Sequence, residues 1–292
     1  MSLPLRHRFA AVLAVVATGC ASAAAPAPAR ADAVPGTTVG AIQVAHTAVT
    51  QPMLPAGTAF AWAKAPGNRK AYATMGDPIA RWNPCAAIGY RFNPARAPKG
   101  ALKDLKGAIR RVSKASGLRF VYRGKTNAVP HAKAGYNPDY PANTQLVVAW
   151  VTPGKQSEWL PKDGPAGVGG PAWTTGYTAK GKKVGHIRWA GVVLNTRVTV
   201  KGGFGAGPRV GWQGTRGQLL MHELGHAVGL AHPSIDDPKQ IMYPVMSRKK
   251  AVWGAGDRTG LKVVGKSGGC IREEPPSADA ASVDASGDFA LS

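Results

Sequence analysis

The sequence predicts an α+β domain, a mixed twisted sheet with two main helices. Three observations carry this. Leu102, Leu105, Ile109 and Val112 recur at helical spacing between Pro98 and Gly117; several short stretches alternate or run apolar as strands do; and a second helical stretch opens at Thr215.

The folded part is expected over 81–270, opening near Arg81, Trp82 and Cys85. Ile88, Tyr90 and Phe92 alternate, which predicts a half-buried strand. The helix after Pro98 keeps Lys103, Lys106, Arg110 and Arg111 on its wet side and stops at Gly117, a residue free to turn left-handed. Leu118, Phe120 and Tyr122 alternate as a second strand, completing a βαβ unit. The continuous apolar run from Leu146 to Val151 predicts a central strand buried on both faces. The Gly-rich residues 167–173 suit an edge strand, and 187–194 supply another. Thr215 with Gln218 three residues on has the form of a capping box, so a helix starts there and carries Leu219, Leu220, Leu224, Ala227 and Val228.

Outside that domain the chain changes character. Arg6, His7 and Arg8 precede the apolar residues 9–17, and Ala31, Asp32 and Ala33 form an A-x-A-like cleavage site, so 1–33 reads as an export signal. The apolar run is too short to span a bilayer. Extracellular release is expected; Cys20 closes a lipobox-like run, with Ala17 in place of the usual Leu, and lipid anchoring there is the alternative. Residues 34–80, rich in Ala, Pro, Gly and Thr, suggest a stalk or pro-segment, and the acidic 271–292 a disordered tail. In an oxidising compartment Cys85 and Cys270 form an even pair suited to a disulfide. The other reading of Cys85 is a thiolate on a metal that holds the protein latent.

Lys and Arg number 37 against 15 Asp and Glu, a formal net charge of +22. That implies attraction to anionic surfaces and says nothing of fold. The bases are scattered and no nucleic-acid motif is present, so an anionic envelope surface or an acidic protein is the expected partner rather than nucleic acid.

The chemistry concentrates in one stretch of the second helix. His222 and His226 are four apart, so both imidazoles leave one helix face and can share a tetrahedral zinc with an open position. Glu223 lies beside the first of them, where a carboxylate can take the proton of a water acidified by the metal. Gly229 suits the turn at which the helix ends, and His232 returns from beyond it as a third ligand. A bare pair of histidines at this spacing arises readily by chance. Five fixed positions on a segment that also reads as a capped helix do not. His7 lies in the signal, His46 in the expected stalk, and His131 and His186 lack ligand-spaced neighbours.

The stretch from His222 to His232, followed by Met242, Tyr243 and Pro244, resembles the metzincin clan of zinc peptidases, and within it the matrixin-like families. The resemblance implies a zincin-like fold in which the active-site helix is followed by a Met-turn subdomain. It implies one zinc ion on His222, His226 and His232, a general base at Glu223, and Met242 beneath the metal. Pro244 stands where astacin-like relatives carry a zinc-binding tyrosine. The lower edge of the sheet would hold an extended substrate, with Gly169, Gly170 and Ala172 the candidate positions. The wall of the pocket beyond the scissile bond would come from residues 243–246. The acid-rich loops that hold calcium and a second zinc in animal matrixins have no counterpart here, nor has their cysteine-switch peptide. The expectation is a secreted, monomeric metalloendopeptidase acting on proteins or peptides. A non-catalytic zinc-bearing module of the envelope and a cell-wall peptide hydrolase are the alternatives.

Overall fold

The computed structural model describes residues 65–131, 139–211 and 213–275. The expected export signal with Cys20, most of the 34–80 stretch, and the tail beyond 275 lie outside the described residues. In chain order the elements are β1 (Ala73–Thr74), β2 (Ala80–Arg81), β3 (Ile88–Phe92), α1 (Ala101–Ser116), β4 (Phe120–Lys125), β5 (Leu146–Val151), β6 (Gly167–Tyr177), β7 (Lys183–Asn195), α2 (Arg216–Ala227), β8 (Leu230–Ala231) and α3 (Ala255–Val264).

The main sheet is mixed, as expected. The unit β3–α1–β4 pairs parallel strands, β5 lies parallel between β3 and β7, and β6 runs antiparallel to β7. Along its length β7 pairs with β6 on one side and with β2 and then β5 on the other. This leaves β6 at one edge, where a Gly-rich strand was expected. It extends four residues beyond Trp173, to Tyr177.

Burial explains why these residues take these shapes. All six residues of β5 are buried, because helices pack on one face and the loop around Val129, Trp159 and Leu160 covers the other. The strand β3 is buried more completely than its alternation suggests, since β4 and β5 flank it. On α1 the residues Leu105, Ile109 and Val112 face the core, and Gly117 closes the helix at φ 74°. Each such side chain contributes about 1.5–3 kcal/mol through removal from water. Asp104 is buried on the same helix, where it pairs with Arg216 at 2.7 Å and joins the starts of α1 and α2.

Three findings depart from expectation. First, α3 is a third helix, packed against α1. Its glycines at 254, 256, 260 and 265 masked the helical period. Second, the capping box is half formed: Thr215 Oγ1 accepts Gln218 N–H at 3.3 Å, but the Gln218 amide turns to the backbone of Ser247 instead. Third, packing starts ahead of Arg81. Ala71, Met75 and Ala80 are buried, Ala255 N–H donates to Pro66 O at 2.7 Å, and β1 pairs with β8. Residues 66–80 thus belong to the fold rather than to a stalk. At the other end Ile271 is buried and Arg272 bridges Tyr177, so the first residues of the expected tail are packed too. Cys85 and Cys270 form a disulfide, with Cα atoms 5.4 Å apart. Among the described residues no helix is long and apolar enough to cross a membrane.

Candidate metal centre

Every residue of α2 is buried, so its histidines sit inside the protein rather than on a wet face. The Nε2 atoms of His222, His226 and His232 lie 3.1–3.2 Å from one another. A tetrahedral zinc with bonds of about 2.0–2.1 Å holds its nitrogens about 3.3–3.4 Å apart, so the triangle is the right size for one ion. The tautomers agree with this. His222 Nδ1 is 2.7 Å from Ile241 O and His226 Nδ1 is 2.9 Å from Leu230 O. A carbonyl can only accept, so Nδ1 carries the proton in both rings and Nε2 offers its lone pair. Lone pairs facing at this distance repel unless a cation lies between them.

Charge state points the same way. Burial lowers the His222 pKa to about 3, with further lowering by His232. Burial also holds His226 well below its ordinary value and lowers His232 to about 4. All three are therefore neutral near pH 7, the form a metal binds. Among the described residues, these three side chains make the group of His, Cys, Asp and Glu able to share an ion. The alternative with Cys85 as a thiolate ligand falls, because its sulfur is bonded to Cys270.

The helix ends where the ligand set needs it to. Trp82 Nε1–H donates to Ala227 O at 3.0 Å, and Gly229 turns the chain at φ 104°. The residues from 229 to 231 are then strapped by β1, with Ala73 opposite Ala231, Thr74 opposite Leu230, and Met75 N–H donating to Gly229 O at 2.8 Å. This strap fixes the carbonyl of Leu230 that orients His226, and it delivers the chain to His232.

Glu223 is 1% exposed, and its Oε1 meets no protein donor among the described residues. Burial pushes its carboxyl up to about 8, while the backbone N–H of Gly169 pulls the other way. A cation on the neighbouring imidazoles favours the ionised form further. The edge strand β6 lies directly on this helix: a Cβ at Gly169 would collide with the Glu223 backbone, and one at Gly167 would come within 2.9 Å of Glu223 Oε1. At Gly170 a Cβ would meet open space, and Ala172 is half-buried. The structure thus brings Gly169 to Glu223.

Met242 is 1% exposed, with its Sδ beneath Gly225, the residue between the two helical ligands. What sequence reading missed is the group that holds it there. Asp257, on α3, is fully buried and accepts N–H groups from Ile241 (2.6 Å), Met242 (3.1 Å) and Gly254 (2.8 Å). Its amide N–H donates to Gln240 Oε1 at 3.0 Å. His186 is buried on β7 with Glu273 at 3.2 Å, apart from the ligand group.

No family model and no curated protein matches this chain. Among solved structures it is similar to high choriolytic enzyme 1, a hatching enzyme zinc-protease from Oryzias latipes, the medaka fish. The identity is 16% and the TM-score 0.25, over 55% of this chain and 54% of that one. The chain therefore spans about half the length of that structure.

Proposed function

We propose that the protein is a secreted zinc-dependent endopeptidase, matrixin-like within the metzincins, that hydrolyses peptide bonds in proteins or peptides. One observation carries the reading: three neutral imidazoles converge on a point sized for zinc, two of them on the helix whose Glu223 keeps a buried carboxylate oxygen with no partner among the described residues. Zinc held there supplies a Lewis acid that polarises a carbonyl and acidifies water. Glu223 takes the proton of the attacking water and hands it to the departing nitrogen. The Gly169 N–H restrains its carboxylate. The free edge of β6 takes the peptide as an added antiparallel strand, beside Gly169, Gly170 and Ala172. The N-terminal signal supports release from the cell.

The test is hydrolysis of casein and of a quenched peptide library by the zinc-loaded protein. Activity is expected, lost on chelation and lost in Glu223→Gln at unchanged zinc content. A protein that holds one zinc and cleaves nothing in the library would overturn the enzyme reading in favour of a zinc-bearing binding module. Digestion of peptidoglycan in preference to peptides would move the substrate to the cell wall.

A further inference from the structure

Along the whole sequence the bases lie scattered, but the fold gathers one block of them. Between Arg91 and Lys125 stand eleven Lys and Arg and a single acid, Asp104, which is buried in its pair with Arg216. On α1 the residues Lys103, Lys106, Arg110 and Lys114 follow one another at spacings of three and four, so they form one line along the helix. At the helical rise of about 1.5 Å per residue the line is about 16 Å long, with a charge about every 4.5–6 Å. Lys103, Arg110 and Lys114 are exposed and Lys106 is partly so. Exposed Lys266, packed against Gly117 at the end of α1, prolongs the line. The buried face of α1 packs on α2 and α3, so this stripe faces away from the ligand helix.

An ordinary solvated helix face interleaves acids with its bases, and this one does not. Lys103 with Lys106, Lys106 with Arg110, and Arg110 with Lys114 are like-charged neighbours that repel. Lys103 also stands in the first turn, where the helix dipole disfavours a cation. Among the described residues ion pairs join only Glu273 to His186 and Arg188, and Asp104 to Arg216, so no carboxylate pairs with the stripe. Relief has to come from outside, as negative charge repeated along a line. The surroundings narrow what carries it. Nearby rings are already covered, Tyr122 by Lys106 at 4.6 Å and Phe204 by Arg111 at 3.6 Å, which leaves nucleobases no free ring to stack on. The large apolar side chains exposed among the described residues are Ile79, Val210 and Ile235, none of them on α1, so nothing here inserts into a bilayer.

We propose that the stripe on α1 binds a linear phosphodiester polymer without bases, of the poly(glycerol phosphate) kind, and holds the protein on it while the metal centre faces elsewhere. Such a polymer carries its charge on the backbone itself at a regular interval, whereas a protein carboxylate sits at the end of a flexible side chain. Arg110 can fork two phosphate oxygens, and the lysines act as point charges on either side of it. The inference stands apart from the peptidase reading, since neither zinc nor Glu223 takes part. Because the bases are exposed, binding weakens as salt rises.

The test titrates labelled poly(glycerol phosphate) onto the full chain by fluorescence anisotropy across a salt series. Lys103→Glu with Arg110→Glu should weaken binding about tenfold or more and lower the slope of log affinity against log salt by about 1–2. Lys103→Gln with Arg110→Gln should lose less. A charge control in the exposed turn between β6 and β7, Lys180→Glu with Lys182→Glu, should stay within about twofold of the unaltered protein. The reversed α1 variant should melt no lower than the unaltered protein, because it interleaves acids with the remaining bases; that separates lost binding from lost folding. At equal charge, a single-stranded oligonucleotide, poly-Glu and phosphatidylglycerol vesicles should each compete about tenfold less well than unlabelled polymer. Equal loss in the turn control, or any competitor that matches the polymer, overturns the proposal. Casein hydrolysis without polymer binding overturns the stripe alone, whereas stripe-dependent binding without any hydrolysis leaves it standing as the peptidase reading fails.

Discussion

The carboxylate of Asp257 accepts the backbone N–H of Ile241 at 2.6 Å, and the carbonyl of that same Ile241 accepts the ring N–H of His222 at 2.7 Å. A buried acid on α3 therefore aims a metal ligand on α2 through one peptide unit. Replacing Asp257 by Ala leaves three buried N–H groups without their acceptor, which costs about 3 kcal/mol or more. It also frees the Ile241 carbonyl to drift. Zinc affinity, followed by competition with a chromophoric chelator, should fall about 10- to 100-fold. If urea unfolding shows the stability loss while zinc affinity stays put, Asp257 supports the fold alone.

Zinc itself should be a strong stabiliser. The site binds the metal only when folded, so each rise in free zinc lifts the melting temperature, by about 2.7 kcal/mol of stability at 100 times the dissociation constant. His226→Ala should melt at a temperature that zinc does not move. Differential scanning calorimetry across a zinc series decides this, and a parallel shift in the variant would place the stabilising ion elsewhere.

Acid should undo the metal-free protein through its imidazoles. His222 and His232 titrate near 3 and near 4 in the folded state, below the ordinary histidine value of 6.5. Groups depressed in this way stabilise the fold fully above 6.5, and that contribution drains away as pH falls toward their folded values. Asp257 acts oppositely: burial raises it to about 6, so its contribution is present below about 4 and is lost as pH climbs through 6. Stability measured by circular dichroism should therefore fall from pH 6.5 downward. His232→Ala should flatten part of that slope, and a slope unchanged in this variant would show that other groups drive it.

The disulfide should matter more than any single contact on the surface. Cys85 and Cys270 are 185 positions apart, and closing so long a loop destabilises the unfolded chain through lost entropy by about 5 kcal/mol in the loop-closure treatment. Cys85→Ser with Cys270→Ser should lower the urea midpoint accordingly while zinc still binds. Equal midpoints for the two proteins would mean that the unfolded chain stays compact without the bond.

The ligand helix was legible from sequence because local geometry dictates it: spacing of four on a helix leaves His222 and His226 on one face, and nothing distant can change that. The strands β3 and β5 and the helix α1 were legible for the same reason, their periods being written in adjacent residues. Asp257 was not, because its partners at 241 and 242 lie across a turn whose path no local signal states. Gly169 reads in sequence as one glycine among several, and only the packing of β6 on α2 shows that a Cβ there would strike Glu223. Gln218 was misread in part: its spacing from Thr215 suits a capping box, but Ser247 offers the amide both a donor and an acceptor. A two-sided partner outcompetes the single N–H of a cap.

The strap that β1 lays over β8 sets a limit on processing. Removing the chain up to Arg81 would take away Ala73, Thr74 and Met75, and with them the backbone partners that hold residues 229–231 between two metal ligands. It would also remove Pro66, whose carbonyl tethers the first turn of α3, the helix that carries Asp257. A chain that began at Arg81 would therefore lose both the strap on the ligand turn and the tether on α3, whereas one that began ahead of Pro66 would keep them.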